Sequence, residues 1–138
     1  MESTISMQDM RHLNLFMNIT KISTRFCFEY NNAIYFCVPK QLVSRAIGEN
    51  GKNSRQLIKI LNRKIKIIPS PNGTENAKEF IQAIVAPIEI KGVEFSGDDF
   101  VINAGSKNKA ALIGREKRRL NEMKKIVRDF FGKDVRIV

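Results

Sequence analysis

The chain has 138 residues, room for one ordinary domain or two very small ones. Hydrophobic residues at 43% and charged residues at 28% give the balance of a folded protein, with enough chain to build a core without disulfides. Lys plus Arg outnumber Asp plus Glu by 24 to 14, a net charge of +10, which disfavours basic partners and favours polyanions such as nucleic acid or an anionic surface.

No apolar run approaches the roughly 20 residues that a membrane span needs. The opening stretch MESTISMQDM lacks the basic and apolar regions of a secretory signal, so a cytoplasmic protein without membrane contact is expected. Cys27, Cys37 and the single histidine, His12, cannot by themselves form a zinc site of the usual four-ligand kind. No metal and no cofactor are expected.

In chain order, Ser6-x-x-Asp9 reads as a capping box, and Met7, Met10, Leu13 and Phe16 or Met17 recur behind it at helical spacing. Residues 25–30 and 33–38 are rich in aromatic and β-preferring side chains and flank Asn31-Asn32, which predicts a hairpin. Its two cysteines are expected to be neighbours, as small buried hydrophobes. Pro39 suits the start of a short helix through Ile47, Gly48-Glu49-Asn50-Gly51 interrupts it, and a second helix carries Leu57, Ile58 and Leu61 on one face. Residues 65–68 read as a closing strand.

Pro69-Ser70-Pro71-Asn72-Gly73 suits neither helix nor central strand and marks a boundary, giving modules over residues 1–70 and 71–138. The first holds 11 basic and 4 acidic residues, a net +7; the second holds 13 and 10, a net +3. The second module repeats the order of the first. Thr74 is the expected cap of a helix with the stripe Ala77, Phe80, Ile81, Ile84 and Val85. Residues 88–95 and 100–104 form a hairpin, a short helix ends at Ile113, and a long one carries Leu120, Met123, Ile126, Val127, Phe130 and Phe131. Residues 135–138 close as a strand. Gly48 matches Gly114, and at the same offset Leu57, Ile60 and Leu61 fall on Met123, Ile126 and Val127. The fold class is therefore α+β, an internal duplication of α-β-β-α-α-β.

The loop Gly48–Gly51 joins two helices. Glycine at each end permits sharp turning and close backbone approach, and the loop leads into a helix N-terminus that favours an anion. Arg45, Lys52, Asn53 and Arg55 flank it, a set suited to phosphate. Ala46 and Gly51-Lys52-Asn53 come close to a nucleotide-binding P-loop, but Asn53 stands where a magnesium-binding hydroxyl is needed and a helix precedes the loop instead of a strand. No enzyme and no small-molecule substrate are expected, since no nucleophile, base and oxyanion donors come together in the sequence.

Val43-Ser44-Arg45-Ala46-Ile47-Gly48-Glu49-Asn50-Gly51-Lys52-Asn53 resembles the I-G-x-x-G signature of KH domains, and the element order is similar to the type II form. Two such modules in tandem, with residues 13–20 and Ala86-Pro87, resemble the archaeal form of the transcription factor NusA. The resemblance implies a single-stranded RNA binder acting with RNA polymerase in transcription termination or antitermination. By that resemblance Gly48 and Gly51 admit phosphates, Glu49 and Asn50 form the loop tip, Arg45, Lys52 and Arg55 neutralise the strand, and Ala46 and Ile47 floor an apolar groove under the bases. The second copy departs from the pattern: it reads Gly114-Arg115-Glu116-Lys117, with lysine in place of the closing glycine. Either its turn differs or it meets phosphate through side chains, with Lys107, Lys109, Arg115, Lys117, Arg118 and Arg119 around it. The alternative role for such modules is a ribosome or RNA-processing assembly factor, a scaffold between structured RNA and protein.

Overall fold

The structure, a computed structural model, describes residues 6–138. They form a mixed α+β fold that divides into two compact units between Ser70 and Pro71. Among the described residues no helix is long and apolar enough to cross a membrane.

In the first unit, helix α1 (Met7–Thr20) starts where the Ser6 hydroxyl accepts the Asp9 amide at 3.0 Å. It ends at Lys21, in the left-handed conformation. Strands β1 (Phe26–Tyr30) and β2 (Ala33–Val38) are joined by Asn31 and Asn32, whose φ values of 51° and 64° suit the two-residue turn that matches strand twist. After a single 3-10 turn come α2 (Val43–Ile47) and, beyond the glycine loop, α3 (Lys52–Leu61). Strand β3 (Lys64–Pro69) then lies parallel to β2, the geometry that a helical crossover permits.

One face of the sheet order β1-β2-β3 presents Ile34, Phe36, Val38 and Ile67 to the helices, which add Phe16, Ala46 and Leu57. Phe16 stacks on Phe36 with centroids 4.5 Å apart. The buried stripe of α1 is His12, Phe16 and Thr20, one residue every fourth position. Of the alternatives Phe16 and Met17 it is Phe16 that is buried, whereas Met7 and Met10, expected on the same stripe, are exposed because the helix turns Phe16 and His12 to the core. Ile58 and Ile60 are exposed too, so Leu57 alone seats α3 fully in the core.

The hairpin register corrects the expectation for the cysteines. Cys27 opposes Phe36 and Cys37 opposes Phe26, so with a side-chain period of two the thiols project from opposite faces. Cys27 packs at the helix-facing core. Burial pushes the Cys37 thiol far above its ordinary range, with nearby Cys27 adding to the shift.

The second unit repeats the plan with α4 (Ala77–Val85), β4 (Gly92–Ser96), β5 (Asp99–Asn103), α5 (Gly105–Ile113), α6 (Arg118–Phe131) and β6 (Asp134–Ile137). Again the first strand pair is antiparallel and the second parallel. The five residues expected on the α4 stripe are all buried. Asn76, not Thr74, occupies the cap position. The hairpin begins later than Ile88 because the Gln82 amide holds that backbone, donating to the Ile88 carbonyl at 2.7 Å and accepting from the Ile90 amide at 3.0 Å. Phe80 packs on Phe130 at 4.9 Å and Phe100 on Phe131 at 5.0 Å. Helix α6 has 14 residues against 10 in α3, one extra turn.

Candidate nucleic-acid interface

Each unit places a short loop between its second and third helices, and the two loops have the same backbone. Gly48 sits at φ 85°, ψ 164° and Gly114 at φ 77°, ψ 170°, a region essentially restricted to glycine. Two residues on, Asn50 (φ 56°, ψ 26°) and Glu116 (φ 55°, ψ 28°) are left-handed. So are Gly51 (φ 73°, ψ 20°) and Lys117 (φ 61°, ψ 23°). One hydrogen bond closes each turn, from the Gly51 amide to the Gly48 carbonyl at 3.0 Å and from the Lys117 amide to the Gly114 carbonyl at 3.2 Å. The second copy thus keeps the turn despite losing its closing glycine, at a cost of about 1–2 kcal/mol for a left-handed lysine.

Each opening glycine is also fixed by close approach. A Cβ on Gly48 would meet the Asn53 backbone nitrogen and side-chain Cγ, both at 3.0 Å. On Gly114 it would meet Cγ of Arg119 at 2.7 Å and its backbone nitrogen at 3.0 Å. Asn53 and Arg119 stand five residues after their glycines, so both braces are placed by the same geometry. Asn53 also donates its amide to the Ala46 carbonyl at 3.1 Å, tying α3 back to the end of α2.

Beyond the turn, α3 and α6 begin with no side-chain cap. The first N–H of each, at Lys52 and Arg118, is taken by the Glu49 and Arg115 carbonyls, so what each helix start offers an anion is the positive end of its dipole. In the first unit Arg45, Glu49, Asn50 and Lys52 are exposed around this point, and Ile47, Gly48, Gly51 and Asn53 are half-buried. Arg55 is exposed and its guanidinium donates to the Asn50 carbonyl, which holds the loop tip. In the second unit Lys107, Lys109, Arg115, Glu116, Lys117 and Arg118 are all exposed, with Gly114 half-buried between them.

Two expected contact residues do other work. Ala46 is fully buried in the core cluster, so it supports the loop from below and cannot floor a groove. Arg119 lies largely covered against Gly114 and pairs with Glu122 at 2.9 Å, making it a brace and not a free cation. The repeat offset of 66 aligns Arg119 with Asn53, but the bracing role of either residue is visible only in the folded loop. The loop also lacks the strand that precedes a nucleotide-binding P-loop; helix α2 precedes it.

Neither a family model nor a curated protein matches the sequence. Among solved structures, the chain is similar to the crystal structure of APE1850, with a TM-score of 0.66 and 21% identity over 97% of this chain and 100% of that one. At that identity the likeness speaks to the fold alone.

Proposed function

We propose that this is a non-enzymatic single-stranded RNA-binding protein of two type II KH modules, one in each unit, acting with RNA polymerase in transcription termination or antitermination in the cytoplasm. One observation carries the binding half of this reading: the same glycine-opened turn occurs twice, each time leading into an uncapped helix start beside exposed lysine and arginine. Such a turn lets a sugar–phosphate strand approach backbone N–H groups closely, while the adjoining cations neutralise it. The α-β-β-α-α-β order and the parallel third strand agree with type II KH architecture. The polymerase partnership rests on the resemblance of the two tandem modules, with residues 13–20 and Ala86-Pro87, to the archaeal NusA family.

Fluorescence anisotropy of a short A-rich single-stranded RNA, against a duplex of equal length, tests the proposal. The single strand should bind more tightly, with log affinity falling against log salt by about 0.7 for each phosphate held. Asn50→Asp puts a negative charge at the loop tip. Two charges about 4 Å apart in water repel by about 1 kcal/mol, so binding should weaken roughly fivefold. Equal binding of duplex and single strand, unmoved by Asn50→Asp, contradicts the proposal and favours the assembly-factor alternative.

A further inference from the structure

Away from both loops, helix α1 and strand β1 bring three potential metal ligands together. One ligand atom each from Asp9, His12 and Cys27 lies within 4.8 Å of the others. The Cys27 sulfur stands 3.8 Å from Oδ1 of Asp9 and 3.9 Å from its backbone carbonyl. His12 is 7% exposed, and its Nδ1 is buried without a hydrogen-bond partner. Leaving a buried polar nitrogen unsatisfied costs about 1–3 kcal/mol, so this one calls for a partner.

We propose that Asp9, His12 and Cys27 form a binding site for a divalent, borderline-soft cation of the zinc type. The donor set of one thiolate, one imidazole and one carboxylate selects such an ion over magnesium or calcium, which take oxygen ligands. Asp9 and His12 are three residues apart on one helix and therefore share a face, and Cys27 is presented from the strand that the helix covers. Zinc bonds of about 2.0–2.3 Å put tetrahedral ligand atoms about 3.5 Å apart. The sulfur–oxygen pair already matches this, and closing the imidazole onto them takes about 1 Å of side-chain movement. Three protein ligands leave a fourth position for water. Binding deprotonates the Cys27 thiol and releases that proton to solvent. The ion would pin α1 to the hairpin. Counting only cysteine and histidine hides the site, because its third ligand is the carboxylate three residues ahead of His12.

The test is titration of the untagged, chelator-treated full chain with cobalt(II) under reducing conditions, followed by zinc competition. The expected result is one cobalt per chain, a thiolate-to-cobalt charge-transfer band that zinc displaces, and a rise in melting temperature on metal addition. The band should vanish in Cys27→Ser and His12→Gln and persist in Cys37→Ser. Asp9→Asn should weaken binding by more than the roughly 10–100-fold that outer-shell changes cause. A missing band, or one that survives Cys27→Ser, overturns the proposal. Should His12→Gln fail to fold by circular dichroism, Cys27→Ser and Asp9→Asn decide, since both ligands lie at the partly exposed edge of the site.

Discussion

Lys117 holds a left-handed backbone at φ 61°, where the equivalent residue of the first unit is glycine. Relieving it should be measurable. Lys117→Gly is expected to stabilise the fold by about 1 kcal/mol, read as a higher urea midpoint with an unchanged m-value. The opposite change at the loop entrance, Gly48→Ala, forces a Cβ to within 3.0 Å of the Asn53 backbone and should destabilise by about 1–3 kcal/mol. Cys37 gives a pH signature. Its thiol is raised in the folded state, so folding favours the protonated form. The associated stability is intact below the unfolded pKa of about 8.5 and is lost as pH climbs above it, by about 1.4 kcal/mol per unit. Denaturation curves at successive alkaline pH values should show this slope, and Cys37→Ala should reduce it. At this scale the sequence displayed the glycines and cations of the loop. It did not display which cations are occupied, because the bracing of Arg119 against Gly114 and Glu122 appears only once the helix is built.

At the scale of elements, periodicity located α4 and its five buried residues because that helix is apolar on one broad face. It misplaced the methionines of α1. Methionine satisfies a helical pattern equally well on either side of a narrow stripe, and stacking of Phe16 on Phe36 decided the rotation. Repeat alignment does not fix burial either: Ile60 is exposed while its repeat partner Ile126 is buried. In the second unit the aromatic contacts of α4 and α6 hold the core. Phe80→Ala removes a ring that packs on both Phe130 and Phe131 and should cost about 3–5 kcal/mol in thermal or urea unfolding.

For the whole molecule, the duplicated element order, the boundary near Pro71 and the net charge of +10 were all legible without coordinates. Identity of the two turns was not, since lysine at the closing position disguised it. On the proposed function, a single strand held by both loops would make its second contact intramolecularly. Effective concentration then raises affinity without any new kind of contact. A length series of single-stranded RNAs should therefore show a step in affinity once a strand engages both loops, and Arg115→Glu with Lys117→Glu should abolish the step while sparing short strands. Backbone amide NMR during titration with single-stranded RNA locates the strand residue by residue. The largest shifts are expected at residues 49–53 and 115–119 together. Shifts confined to other surfaces, with both loops silent, would contradict RNA binding by these loops.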